Sequence, residues 1–522
     1  MPNTLRSLTL SLVAALSMVA LTFAVAQETP TPGGSIVVAV PNDPVGLDPQ
    51  KSAAGSTLTV TQLVYSSLLT YDADMNFRGD LAESWELVDD VTYVFRLREG
   101  LRWHNGDPLT AEDVKYSFER MLDPDTASPW LGIWSNALES VEVVDDLTVR
   151  FVTNAPFAPM LNYLSSPWYA AIVHEPTVTE FGDLQQNAMG SGPFMLTSYV
   201  PNSEVVLTRN PHYYVPEKPF LDEVVIRIIP TEASQLAALR AGTVNLMFSP
   251  DPFIDQRTRD IDRLQTFLPD SMSATPAWWF NQTEAPFDDV RVRRAFSLAL
   301  DREQLIQSVL RGQGQISTKI APSSPFGYRG DGSDLPYYTH DPDQARALLA
   351  EAGYPNGFAT TVEIPNGFPV ILRATEVMRE QLAAVGIEMN IQTLEYGDGL
   401  TRCINTTQEG LCAIRHVWQP DPDTYIYPIY QSNSAINLGK WSDDLVDRLL
   451  EEGRVTVDVD ARIDIYQQLE RQVADQVYVI VPFAHDFIDL MVGDYEGYSP
   501  LVGGATPGTR SLMPLVNTWL RR

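Results

Sequence analysis

Arg415-His416-Val417-Trp418-Gln419-Pro420-Asp421-Pro422-Asp423 places a guanidinium, an imidazole, an indole and two carboxylates within nine residues. No pattern of covalent or metal catalysis accompanies them. Gly190-Ser191-Gly192-Pro193 lacks the spacing of a nucleophile elbow, and its proline reads as a rigid turn. His174-Glu175 has no second histidine four residues after the first, so the zincin pattern fails, and neither a phosphate-binding loop nor a dinucleotide fingerprint occurs. With 67 acidic residues a carboxylate pair can always be nominated, which makes that signal uninformative. Of six histidines, His416 is the one beside other candidate site residues, and a lone histidine is more often structural. An exported hydrolase is therefore the alternative class, with no residue arguing for it. Aromatic side chains are plentiful, at ten Trp and 21 Tyr, and most belong to core packing. Trp130, Trp278, Trp279 and Trp418 stand next to Pro, Asp or Asn in expected loops and are the better cavity candidates.

The elements that must position these groups read as an exported chain of several lobes. At 522 residues the sequence is too long for one core. Residues 1–26 have the form of a signal peptide: Arg6, an apolar run from Leu8 to Val25, and Ala24-Val25-Ala26 before Gln27. No cysteine near that point supports a lipid anchor, and no later run is long enough to span a bilayer. The expectation is a soluble periplasmic protein, not inserted in the membrane after cleavage. A net charge of −31 disfavours nucleic acid and anionic lipid as partners. The only cysteines, Cys403 and Cys412, are expected to form a local disulfide in an oxidising compartment; as metal ligands they lack partners at ligand spacing.

Gly33–Val40 reads as a buried first strand. From Leu81 to Leu122 the pattern is an amphipathic piece around Trp85, a strand with Val91, Tyr93, Phe95 and Leu97 on one face, and a helix. That helix has Thr110 as N-cap with Asp113 reaching back, and buries Val114, Phe118, Met121 and Leu122 before Pro124. Beyond Gly190, strands alternate with helices capped by Asp301, Asp341 and Ser442, as in a mixed sheet with covering helices. No internal repeat is visible.

The segment AESWE…DD.TYVFRLREGLRWHNGDPLTAEDVKYSFER resembles the motif of the family 5 extracellular solute-binding proteins, the peptide- and nickel-binding group that serves ABC importers. GLDPQ (46–50), GSGPF (190–194), VLTRNPHYY (206–214), PFDDVRVRRAFSLALDRE (286–303) and AGYPNGF (352–358) are similar to the family in its order. Asn245 stands where the family often has an acidic residue and is expected to be a surface change.

The resemblance implies an α/β, large bilobal periplasmic-binding-protein fold of three domains. Domain I is discontinuous (33–47, 190–274 and 486–522), domain II is inserted (48–189), and domain III spans 275–485. Crossovers at Ala274-Thr275-Pro276 and His485-Asp486-Phe487 would form the hinge. It further implies a non-enzymatic, cofactor-free and monomeric subunit that captures a peptide or peptide-like solute and delivers it to permease domains. An oligosaccharide or a chelated metal such as nickel is the alternative ligand. Peptide binders of the family hold the ligand's α-amino group with an aspartate shortly after a tryptophan, and Trp418 and Asp421 match that arrangement. Val417 replaces the usual glycine and Asp421-Pro422-Asp423 is shortened, so Asp423 is the alternative to Asp421, and the three residues also read as a turn. Arg415 matches a basic residue of the cavity, Trp130 an aromatic one, and Ser52 to Thr57 a stretch that supplies hydroxyl and backbone contacts. Arg373, at a helix start, is a candidate for the ligand carboxylate, with a surface arginine as the other reading.

Overall fold

The computed structural model describes residues 30–72, 76–268, 272, 274–320, 322, 324–417, 421–434, 436–500 and 511–521, with the backbone alone at 416 and 417. The expected signal peptide and Trp418 lie outside them.

The strand Ser35–Val40 is apolar on both faces and is buried accordingly. Ile36, Val38 and Val40 join one hydrophobic cluster, and Ala39 joins another on the opposite face with Leu236, Leu239 and Leu490. Such a strand suits the centre of a covered sheet with parallel neighbours, and it pairs in parallel with both Glu223–Ile228 and Leu246–Ser249. The resulting seven-stranded sheet runs Leu264–Phe267, Ile488–Val492, Leu246–Ser249, Ser35–Val40, Glu223–Ile228, Glu204–Arg209, Phe194–Val200. It therefore draws strands from the beginning, the middle and the end of the chain. Asn245 belongs to this sheet and is no mere surface substitution: its Oδ1 accepts from the Val37 N–H at 2.9 Å.

A second, four-stranded antiparallel sheet runs Ala82–Asp89, Thr92–Leu97, Thr148–Thr153, Leu138–Asp145. The piece around Trp85 is thus a strand, paired with the one that follows it. Tyr93, Phe95 and Leu97 share one cluster with Val114, Phe118 and Met121 of the helix Ala111–Leu122. The helix start is fixed as its residues require, with the Thr110 N–H donating to the Asp113 carboxylate at 2.8 Å. This helix also receives the earlier Asp48-Pro49-Gln50 turn. Arg120 donates to both oxygens of Asp48, at 2.6 and 3.2 Å, and to Gln50 Oε1 at 2.8 Å, all three side chains being buried.

The third sheet has the order Ile387–Leu394, Phe358–Pro365, Leu411–Val417, Ala274–Phe280, Val479–Ile480. Trp278 and Trp279, expected in a loop, lie inside the fully buried strand Ala274–Phe280. A strand covered on both faces shows no alternation, so its tryptophans resemble loop residues in the sequence. The Cys403–Cys412 disulfide is formed and ties the helix Tyr396–Asn405 to the strand Leu411–Val417. The first and third sheets are joined at two adjacent crossovers. There Ala274 and His485 exchange backbone hydrogen bonds, each at 2.9 Å, and Gln315 and Ala484 pair alongside.

Replacing Cys403 and Cys412 together by serine is expected to lower unfolding free energy by about 2–3 kcal/mol, as for a short closed loop. Urea denaturation of the oxidised protein and the double variant measures it, and identical midpoints would contradict it.

Candidate functional site

Asp421 opens a one-turn helix, Pro422–Thr424, and its Oδ1 accepts from the Asp423 N–H at 2.9 Å. The turn expected from Asp-Pro-Asp is therefore present, and it points two carboxylates into the interior. Each meets its own arginine. Arg462, on the helix Val459–Gln476, grips Asp421 with two parallel bonds of 2.7 and 2.9 Å. Arg454, near the end of the helix Asp444–Val455, donates to Asp423 at 2.8 and 3.2 Å. Such bidentate pairs are strong and directional. Burial pushes the Asp423 carboxyl up from its ordinary range, and the Arg454 charge opposes that rise.

The second oxygen of Asp423 also accepts from the Tyr163 hydroxyl at 3.0 Å. Tyr163 belongs to the core beneath the four-stranded sheet, whereas residues 421–430 pack against the third sheet. This bond therefore crosses the seam between two bodies of the molecule. The Ala158 N–H donates to the Arg454 carbonyl across the same seam at 2.9 Å, and the Arg454 guanidinium lies 3.5 Å above the Tyr427 ring. Trp130 stands two rings away, 4.8 Å from Tyr169, which is 5.0 Å from Tyr163. The indole N–H groups of Trp130 and Trp168 are buried without a hydrogen-bond partner.

A second group gathers at the crossovers. Arg415, opposite Pro276 in the third sheet, lies 4.5 Å over Phe487 and 5.8 Å over Phe368. Its Nε is buried without a partner, and burial pushes its guanidinium down to about 10. Arg373 donates to Asp251 at 2.9 Å and sits over Phe253, so it bridges the helix Pro369–Ala383 to the segment after Leu246–Ser249 and is no free surface residue. His485 is pushed down to about 4, chiefly by burial and further by the charges of Arg415 and Arg373. A cavity of about 170 Å³ borders this crossover, lined by Pro252, Leu310, His485 and Asp486 among others.

The remaining candidates are elsewhere. The Thr57 hydroxyl is enclosed in its own turn, accepting from Val45 N–H and Ser52 and donating to the Gly46 carbonyl. Trp279 is packed in the interior against Tyr430 and stacked on Trp441. His416 is placed by its backbone opposite Thr275, and Trp418 lies outside the described residues. Among the described residues no three His, Cys, Asp or Glu groups are placed to hold a metal ion. The larger cleft, about 510 Å³, is lined by Asn105, His174, Glu180 and Tyr199 among others and by none of the candidate ligand-binding residues. Sequence reading missed Tyr163, Arg454 and Arg462. The signal that could have raised them is the requirement that two interior carboxylates have two cations.

Removing one partner of a buried ion pair leaves the other uncompensated. Asp421→Ala is thus expected to cost about 3–5 kcal/mol of stability, read as a lowered urea midpoint, and an unchanged midpoint would refute the clamp. For His485, the folded-state value lies below the unfolded one, so the unfolded chain takes up the proton first as pH falls. Its contribution to stability is lost between pH 6.5 and about 4, amounting to roughly 3 kcal/mol. Urea midpoints of His485→Gln are expected to fall less steeply over that window than those of the unaltered protein.

The model of the bacterial extracellular solute-binding proteins, family 5, matches residues 76–437. Heme-binding protein A of Haemophilus influenzae is 30% identical over 481 residues, covering 85% of each chain. The dipeptide-binding protein of Escherichia coli is 28% identical over 514 residues, covering 91% of this chain and 92% of its own. In fold, the chain is similar to an ABC transporter-associated periplasmic binding protein of Helicobacter pylori solved with the peptide STSA. The TM-score is 0.80 at 24% identity, over 94% of this chain and 99% of that one. Sequence and fold agree over nearly the whole chain, which belongs to the family 5 bacterial extracellular solute-binding proteins.

Proposed function

We propose that this protein is the solute-binding subunit of an ABC importer, holding a peptide or peptide-like solute between two lobes and passing it to the membrane permease. The observation that carries the reading is Arg415, in a chain of a solute-binding family: its Nε is buried without a hydrogen-bond partner, and its guanidinium lies over Phe487 and Phe368 beside the crossovers. A buried cation of that kind is stabilised by an anion arriving from outside. The relative of nine-tenths mutual coverage named for dipeptide binding supports the solute class.

The domain division proposed is 33–47, 190–274 and 486–522 for domain I, 48–189 for domain II and 275–485 for domain III. In its support, the seven-stranded sheet takes its strands from those first three segments. A ligand touching both lobes favours closure through that differential contact, with the paired strands at Ala274 and His485 as the pivot. Removal of residues 1–26 on export and a monomeric state complete the proposal.

Mass spectrometry of small molecules released from protein purified out of its native host tests it. A peptide-like solute is expected, and a sugar or a metal chelate as the dominant species would overturn the peptide assignment.

A further inference from the structure

Contacts between the proposed lobes, 33–274 with 486–522 on one side and 275–485 on the other, are of two kinds. Arg373 with Asp251 and Arg311 with Asp255 are ion pairs partly open to water, so salt screens them and they hold little. The contacts of residues 157–163 are of another sort. The buried Tyr163 hydroxyl donates to Asp423 at 3.0 Å. Burial, and then the Asp423 charge, push the pKa of that hydroxyl well up, so it stays a donor. The Ala158 N–H donates to the Arg454 carbonyl at 2.9 Å, its one partner among the described residues. The Arg454 guanidinium, while gripping Asp423, also lies 5.9 Å over the Phe157 ring.

The chain passes from residue 163 to residue 423 only through the crossover at Ala274-Thr275-Pro276. Rotation of one lobe about the crossovers therefore parts Tyr163 from Asp423 and Ala158 from Arg454, with no covalent link to prevent it. Opening exchanges a charge-assisted bond and a backbone bond for water, and both are stronger inside the dry seam. Every group involved belongs to the protein. These contacts thus favour the closed arrangement before any solute arrives.

Resting on the solute-binding reading above and its division into lobes, we propose that Tyr163 and Asp423, with Ala158 and Arg454, form a latch that closes the empty protein. Solute then enters a protein that must first open, and the same contacts slow its release. Because the latch favours the closed form whether empty or loaded, loosening it speeds entry and release together and moves affinity little.

The test compares the full mature protein, emptied by unfolding and refolding, with Tyr163→Phe, which keeps the ring against Phe157 and Tyr169. Arg311→Gln, which removes an exposed pair between the same lobes, is the control. Small-angle scattering and amide hydrogen exchange are read without solute. The empty unaltered protein and Arg311→Gln are expected to be compact and to protect the Ala158 amide. Tyr163→Phe is expected to scatter as a more extended molecule and to exchange that amide about tenfold faster. Loaded with a random tripeptide pool and chased with the same pool isotope-labelled, it is expected to release peptide about tenfold faster by mass spectrometry. An empty unaltered protein whose Ala158 amide is unprotected until tripeptides are added overturns the latch. So does a Tyr163→Phe variant with unchanged scattering, exchange or release. Retention of no tripeptide by either protein overturns the peptide-binding reading, while the latch is still judged by scattering and exchange on the empty protein.

Discussion

Two carboxylates two residues apart, both buried, are a costly arrangement, and the molecule is organised to meet that cost. Isolated charges in an interior are disfavoured by far more than a domain's net stability. Each acid therefore needs a cation held in fixed geometry. Arg462 and Arg454 supply this from consecutive helices, and both arginines are themselves boxed by carbonyl or aromatic contacts. Those helices also pack on the third sheet through Val446, Leu449, Leu450, Tyr466, Leu469 and Val473. A pairing that crosses between bodies also makes the seam specific, because a shifted interface would leave Asp423 short of donors.

The segments that identify the family do similar work. Asp48 and Gln50 of the GLDPQ motif hold Arg120 of the most recognisable helix, and the Gln50 amide donates to the Ser117 and Ala171 carbonyls at 3.0 Å each. These are interior fastenings between an early turn, a helix and a later loop. Neither Arg415 nor Trp130 lies within these motifs.

Local chemistry was legible in the sequence. Asp301 and Asp341 cap their helices through side-chain bonds to Gln304 and Gln344. The Leu81–Leu122 core faces and the disulfide are where spacing put them. What could not be read was long-range pairing. Asp421 and Arg462 are 41 residues apart and Asp423 and Arg454 31 apart, with no periodic signature linking them. The resemblance at Trp418 and Asp421 points to an amine-binding acid, and nothing in the spacing shows that Arg462 already pairs with Asp421. Trp278 and Trp279 resemble loop residues in the sequence because a strand covered on both faces has no alternating pattern.

Both acids are held by the protein's own arginines, and Asp423 is also held by Tyr163 across the seam. A double-mutant cycle of Asp423→Asn and Arg454→Met, measured by urea unfolding with and without saturating co-purified ligand, tests this most directly. A coupling of about 2–3 kcal/mol is expected in the ligand-free protein, unchanged when ligand is bound. Additive effects in the free protein, with coupling that emerges only on ligand binding, would contradict it.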